Sequence, residues 1–343
     1  MTTQTRRLGG FDKEKRDVAA RDELAALRHD IEQRIEFLLA EGGGQADLLS
    51  MAMRAGALSA GKRMRPLLMM LVARDLGCAS PAVLDVACAV ELVHAASLML
   101  DDMPCMDNAL LRRGKPAIHV QYGEDVTVLA AVALLSRAFA ILAAIQDIDP
   151  LTRTRLVTRL AETVGAQGLV RGQFMDLRGT AHSEAEIAAT NDLKTGVLLG
   201  VAVDLAAILA QAEDGVGQSL RAFALAAGQA FQIRDDFQDG PGNDSAITGK
   251  DTGKDAGKAT FVNTLGTDEA RRRLAQHLGE ADRYLGAALK GKPACEHRTR
   301  RFVRALFAHG VPEARFAPES GAMAFADAAA NTAASIAHDA RVN

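Results

Sequence analysis

The chain has 343 residues, 48% of them hydrophobic, with a net charge of −3, no tryptophan and only 4% aromatics. This is enough apolar material for a large core, and the near-neutral balance argues against nucleic acid or an anionic membrane surface as partner. Abundant Ala, Leu and Val with few aromatics favours helix over a β-sandwich.

Residues 1–20 are charged and weakly patterned and read as a flexible N-terminal arm. Helical periodicity starts near Asp22 and runs to Leu39, and Glu41–Gly44 breaks it. A second helix is expected over Asp47–Gly56 and a third from Arg65-Pro66, with proline in its first turn. Val83–Leu100 is apolar nearly all round, as in a helix buried inside a bundle. No proline occurs between Pro150 and Pro241, and the pattern there stays helical. Strand signals are nearly absent. Gly240–Thr260 is a loop by composition, and the residues after about 310 form a weakly periodic tail. The expected organisation is one all-α domain over 21–310, a single-domain helical bundle around a central hydrophobic cavity, followed by a 311–343 tail. No uninterrupted apolar run reaches the roughly 18–20 residues that span a bilayer, and the start lacks an export signal. Cys78, Cys88, Cys105 and Cys295 form no CxxC pair. Reduced thiols and a cytoplasmic location are expected.

Polar residues interrupt the apolar helices in stripes. Glu91, His94, Ser97 and Asp101 follow spacings of 3, 3 and 4, a sector of about 120° on an otherwise apolar helix. Gln232, Asp235 or Asp236, and Asp239 repeat the pattern, and Gln173 and Asp176 share a face. Gly165, Gly168 and Gly172 either admit a close helix approach or leave room for a ligand. Two adjacent aspartates at a helix end are ordinarily a solvated pair. Here they oppose the helix dipole at a cost of roughly 0.3–1 kcal/mol each, and the chain does this twice. A hard divalent cation resolves the repulsion, because carboxylate oxygens suit Mg²⁺ and phosphates complete its shell. Lys62, Arg63 and Arg65 cluster at a helix start, where N–H groups favour anions. Arg112 and Arg113 follow the first acids, and Lys250, Lys254 and Lys258 punctuate the glycine-rich loop. Each cation alone is ordinarily a surface charge, and His94 alone a satisfied core histidine. Together with the acids and the apolar interior they describe a pocket for a diphosphate with a hydrocarbon tail.

Asp101-Asp102-Met103-Pro104-Cys105-Met106-Asp107 and Asp235-Asp236-Phe237-Gln238-Asp239 are two aspartate-rich motifs. With GKRMRP, HAASLMLDD, LRRGKP, GQFMDL, LKTG, AFQIRDD and GKDAGKATFV in that order, the chain resembles the trans-isoprenyl diphosphate synthases from about Asp22 to Leu306. Within them it is most like the bacterial geranylgeranyl diphosphate synthases of carotenoid pathways. The resemblance implies an Mg²⁺-dependent condensation of isopentenyl diphosphate with an allylic diphosphate, giving a C20 product, in a homodimer. Asp101, Asp107, Asp235 and Asp239 would ligate metal, three Mg²⁺ ions in all, with Mn²⁺ as substitute. Asp101, Asp102, Asp107, Lys194, Asp235 and Asp236 would be catalytic. Lys62, Arg65, His94 and Arg113 would hold isopentenyl diphosphate. Arg112, Gln173, Lys194, Thr195, Gln232, Lys250 and Lys258 would hold the allylic diphosphate, with Phe231 as a cavity wall. Asn108 stands where many relatives carry a fourth acid.

The resemblance also places the product-length determinants at Ala96 and Ser97, with Val93 deeper. Wheel geometry sets Ser97 about 40° from Asp101 and Ala96 about 140° away. Ala96→Tyr or Ala96→Phe is expected to shorten the product toward C15. Three other readings compete: a farnesyl diphosphate synthase, a class I terpene cyclase and a non-catalytic regulatory subunit. Two complete acid motifs plus GKRMRP speak against the last two.

Overall fold

The computed structural model describes residues 4–40, 47–178, 183–238, 261–291 and 297–307, with side chains from residue 20 onward. In chain order its helices are α1 (Gln4–Ala40), α2 (Leu48–Ala57), α3 (Met64–Asp75), α4 (Ala82–Asp101), α5 (Ile118–Tyr122), α6 (Glu124–Ala144), α7 (Pro150–Val164), α8 (Leu169–Arg178) and α9 (Glu184–Asn191). A π-helical turn, Asp192–Gly196, leads into α10 (Val197–Leu209). Then come α11 (Asp214–Gln238), α12 (Phe261–Leu265), α13 (Thr267–Ala288) and α14 (Arg298–Phe307). Among the described residues the strands are two short ones, β1 (Leu111–Arg112) and β2 (Lys115–Pro116). The protein is all-α, as expected.

Local chemistry accounts for several boundaries. Asp47 caps α2 by accepting from Ser50 N–H at 2.8 Å, and Asp149 caps α7 through Thr152 N–H at 2.9 Å, with Pro150 in its first turn. Ser183 and Glu186 form a reciprocal capping box on α9. α1 begins at Gln4 rather than near Asp22. The glycines of 165–172 do not share one helix, because Gly165 terminates α7 and α8 begins at Leu169.

α4 is the axis of the bundle. From Val86 to Val93 every residue is buried, and α4 packs most extensively on α6. α10 is buried almost throughout and joins α3, α7 and α11. By length and composition alone, Ala82–Asp101 and Glu124–Ala144 are each apolar enough to cross a membrane, which the absence of a long apolar run did not suggest. The sequence reading sought an unbroken apolar run, whereas an 18-residue helical window tolerates isolated polar residues. In α4 that window is 61% buried in the bundle, the mark of a core helix, and in α6 only 39%. Val128, Leu129 and Val132 lie open on α6, an apolar stripe at i, i+1 and i+4.

Candidate active site

α4 ends at Asp101, three residues before Pro104, as the proline predicts. The chain then folds back, with Asp107 N–H donating to the Asp101 carbonyl at 2.9 Å and Asn108 N–H to that of Met103 at 3.0 Å. This brings the third acid of the motif back beside the first, where a straight helix would point them apart. Asn108 sits at φ 48, a left-handed conformation that asparagine tolerates better than most side chains.

The two leading aspartates have different surroundings. Asp101 is half-buried on the side of α4 that also leaves His94, Ser97 and Leu98 partly open. Burial raises its carboxyl to about 6, Lys194 and Arg112 draw it down, and Asp107 and Asp102 push it up. Asp102 is 2% exposed, and Arg112 Nε donates to both its oxygens at 3.0 and 3.1 Å. Burial opposes the Arg112 charge, but Asp102, with Asp101 and Asp107 behind it, lifts the guanidinium above its ordinary value. Asp102 therefore orients Arg112, and Asp101 and Asp107 are the motif's more open acids.

Arg112 and Arg113 stand on a hairpin whose register pairs Leu111 with Pro116 and Arg112 with Lys115. Its turn residues, Arg113 (φ 55) and Gly114 (φ 75), both have the positive φ of a tight two-residue connection. Arg112 is the last strand residue and Arg113 the first of the turn, whose left-handed backbone sends its side chain another way. Arg112 accordingly reaches Asp102, while Arg113 Nη1 donates to Ser59 Oγ at 3.1 Å, beside Gly61. The two adjacent arginines thus join different neighbourhoods, Arg112 the first acid motif and Arg113 the turn that precedes Lys62 and Arg65.

The group on the Arg113 side contains exposed Lys62 and half-buried Arg65 and His94. Arg65 Nη1 lies 3.0 Å from His94 Nε2. Burial, then Arg65, Arg113, Arg112 and Arg63, hold the imidazole well below its ordinary value, so it is neutral. Nε2 accepts from Arg65, which leaves the proton on Nδ1. His94 Nδ1 and Arg65 Nε are buried and have no hydrogen-bond partner among the described residues. Two such donors beside two more cations suit an anion. Burial lowers Arg65 to about 10, Glu91 opposing, so it stays charged at neutral pH. Asp235 also raises it, so the second acid motif acts on this group.

The group on the Arg112 side is built around the π-helical turn, a kink often found at functional sites. Lys194 Nζ is 2.7 Å from Asp176 of α8. Thr195 Oγ1 donates to Gln232 Oε1 at 3.4 Å, and Gln232 Nε2 donates to Asp236 Oδ1 at 3.0 Å. Gln173, one turn before Asp176, reaches Met106 of the first motif's loop at 4.0 Å and keeps its Oε1 unpartnered among the described residues. Gly172 settles the glycine question in favour of close approach: a Cβ there would lie 2.4 Å from Leu193 C and Lys194 N. Phe231 lies 4.4 Å from the Arg234 guanidinium, which also covers Phe307 at 5.3 Å. Lys250, Lys254, Lys258 and Asp239 lie outside the described residues.

Sequence reasoning passed over Asp192, at the start of the π-helical turn. Its carboxylate accepts from Gln229 Nε2, which also donates to Ala188 O at 3.2 Å. The spacing of Gln229, one turn before Gln232, was the available signal. Burial raises the Asp192 carboxyl from 3.8 to about 6, with Gln229 drawing it back. Ionisation is thus costlier in the folded state, so stability declines as pH rises from about 4 through about 6 and then levels off. Asp192→Asn removes that cost and keeps an oxygen for Gln229. Thermal melts should show stabilisation of about 1 kcal/mol above pH 7, partial exposure included, and none below pH 4.

A helical bundle that gathers cations and acids at the end of its buried central helix fits a prenyltransferase. Residues 46–288 match the family described as polyprenyl synthetase. The geranylgeranyl diphosphate synthase of Pantoea ananas is 48% identical over 293 residues, 84% of this chain and 93% of that protein. The farnesyl diphosphate synthase of Geobacillus stearothermophilus is 41% identical over 254 residues, 70% of this chain and 85% of that one. The crystal structure of a geranyltransferase from Helicobacter pylori, complexed with magnesium and isoprenyl diphosphate, superposes with a TM-score of 0.72 at 27% identity. It covers 83% of this chain and 97% of its own. The chain belongs to the polyprenyl synthetase family and is a prenyltransferase of the chain-elongating kind.

Proposed function

We propose that this protein condenses isopentenyl diphosphate with an allylic diphosphate to make the C20 product geranylgeranyl diphosphate. The observation that carries the reading is that adjacent Arg112 and Arg113 take different partners, Asp102 of the first acid motif and Ser59 before Lys62 and Arg65, which suits one group for each diphosphate. In this reading Lys62, Arg65, His94 and Arg113 hold isopentenyl diphosphate, with the unpartnered His94 Nδ1–H and Arg65 Nε–H donating to its oxygens. Arg112, Lys194, Thr195, Gln173 and Gln232 hold the allylic diphosphate, with Lys250 and Lys258 assigned to it by resemblance alone.

Asp101, Asp107 and Asp235, with Asp239 by resemblance, are the magnesium ligands of this proposal, for three ions. Among the described residues no three His, Cys, Asp or Glu side chains close on one point. That suits a cation taking one or two carboxylates and completing its shell with substrate phosphate and water. The rise of Asp101 to about 6 beside Asp107 and Asp102 marks a place where positive charge is welcome. When bound, magnesium supplies charge neutralisation of the departing diphosphate. Arg112 and Lys194 add fixed positive charge where the allylic C–O bond breaks, and the cations around isopentenyl diphosphate keep its double bond within reach of the allylic carbon. The apolar walls exclude water, and the released diphosphate takes the proton that restores the alkene.

The 48% identity to a geranylgeranyl diphosphate synthase supports the C20 assignment. Incubation with isopentenyl diphosphate, Mg²⁺ and C5, C10 or C15 primers should yield C20 from each, whereas accumulation at C15 would favour a farnesyl synthase. Ala96 and Val93 are fully buried, and Ser97 is half-open on the face that carries His94, Leu98 and Asp101. Ser97→Phe is therefore expected to shorten the product toward C15 at least as strongly as Ala96→Tyr. Products unchanged on reversed-phase chromatography in both variants would remove α4 from length control.

We propose a homodimer, supported by the open Val128, Leu129 and Val132 stripe on α6. Leu129→Glu with Val132→Glu should convert a dimer to monomer in light scattering. Cys78, Cys88 and Cys105 are free, in keeping with the cytoplasmic location that completes the proposal.

A further inference from the structure

The three cations of Gly61-Lys62-Arg63-Met64-Arg65-Pro66 have different surroundings. Lys62 is exposed and Arg65 half-buried, but Arg63 between them is 3% exposed. Arg63 is also the N-cap of α3, at φ 49 and ψ 39, with no side-chain capping bond. A non-glycine residue is strained in that left-handed conformation, and a buried guanidinium is costly unless paired. The structure accepts both costs at one residue, and the compensation is specific. Arg63 Nη1 donates to Glu91 Oε1 at 2.8 Å and Nε donates to Glu32 Oε1 at 3.1 Å. Glu91 is itself 3% exposed and lies on α4 three residues before His94. Glu32 comes from α1.

Glu91 thereby separates from the stripe it forms on paper with His94, Ser97 and Asp101. The stripe's other members lie partly open, while Glu91 is closed over by Arg63. Arg63 is 3% exposed, with Nη1 and Nε held by Glu91 and Glu32 and Nη2 buried without a partner among the described residues, so its charge is engaged by the two carboxylates rather than open to substrate. It does fix the backbone on either side of it. Lys62 precedes the left-handed residue and Arg65 follows in the first turn of α3, so their relative direction depends on the Arg63 dihedrals. Arg65 in turn touches His94, one helical turn from Glu91.

We infer that Arg63 is a positioning residue: its buried pairing with Glu91 and Glu32 locks the left-handed turn that sets Lys62 and Arg65 against isopentenyl diphosphate. This rests on the proposed assignment of that substrate to the Lys62, Arg65, His94 and Arg113 group. A residue that only stabilised the bundle would affect both substrates alike, whereas one that aims this group acts on one of them.

The test uses the full chain, with calorimetric binding of isopentenyl diphosphate in the absence of any primer and KM for both substrates. Arg63→Met should weaken isopentenyl diphosphate binding and raise its KM by roughly tenfold or more, with farnesyl diphosphate KM changing by less than about threefold. Arg63→Lys should recover part of the loss, since one ammonium can meet one carboxylate but not both in fork geometry. Unchanged affinity in Arg63→Met, or equal loss for both substrates, overturns the inference. If Arg63→Met does not fold, Glu32→Gln at the more exposed partner carries the test. It should show the same selective weakening at roughly threefold, and its absence overturns the inference. Arg65→Gln separates the two levels: if it leaves isopentenyl diphosphate affinity intact, the substrate assignment fails rather than the role of Arg63.

Discussion

Asp101→Ala is expected to lower kcat by roughly a thousandfold while leaving the fold intact or more stable. The two halves of that result share one cause. Asp101 sits where burial disfavours its charge, with Asp107 and Asp102 adding to the repulsion, and its carboxyl is raised to about 6. An acid whose folded value lies above its unfolded value costs stability at neutral pH, so its removal relieves the fold. Under the proposed function the same charge would hold magnesium, so its removal would disable the chemistry. Asp102→Ala should behave differently. Asp102 is buried against Arg112 through two oxygens, so losing it strands a guanidinium and lowers both activity and melting temperature. Steady-state kinetics at saturating Mg²⁺ and thermal unfolding on both variants give the comparison. An Asp101→Ala enzyme keeping more than about a tenth of its rate would exclude Asp101 from a central role.

Gly172→Ala is expected to lower kcat about a hundredfold, although it adds a single methyl group. That methyl would stand 2.4 Å from Leu193 C and Lys194 N and 2.8 Å from Leu193 O. All three are backbone atoms, which no rotamer change can move. Either α8 or the π-helical turn must shift, and the 2.7 Å ion pair between Lys194 and Asp176 spans the gap between them. Lys194 is then displaced from its place beside Asp176, in the group proposed for the allylic diphosphate. Gly200→Ala, on the next helix, is the control, because a Cβ there meets nothing within 4 Å. It should leave activity unchanged and add up to about 1 kcal/mol of stability through helix propensity. Equal activity in the two variants would show that the π-helical turn does not set the rate.

The sequence was most informative where one residue type has one physical meaning. Periodicity located α2 and α4 to within a residue or two, because buried helices leave an apolar pattern that loops do not. Pro104 told where α4 must end. The ordered motifs told which family the chain belongs to. The pattern said less about pairing. Asp101 and Asp102 are indistinguishable as letters, yet one is half-open and the other is buried against Arg112. Arg63 reads as a third phosphate cation but closes over Glu91, because a left-handed N-cap cannot be seen in a string. Gly165, Gly168 and Gly172 have helical spacing, but the break between α7 and α8 lies among them. The π-helical turn that carries Lys194 and Thr195 has no distinct composition, and tertiary contacts with Gly172 and Gln229 reveal it.

The central claim is that the two cation groups serve two diphosphates at once, so that an allylic cation is captured by isopentenyl diphosphate rather than by water or by itself. Incubation with farnesyl diphosphate, radiolabelled isopentenyl diphosphate and Mg²⁺ tests it most directly, with products resolved by chromatography. The expected result is label in a C20 diphosphate formed by one five-carbon addition. Consumption of farnesyl diphosphate into unlabelled alcohol or cyclic hydrocarbon, or no consumption at all, would contradict it.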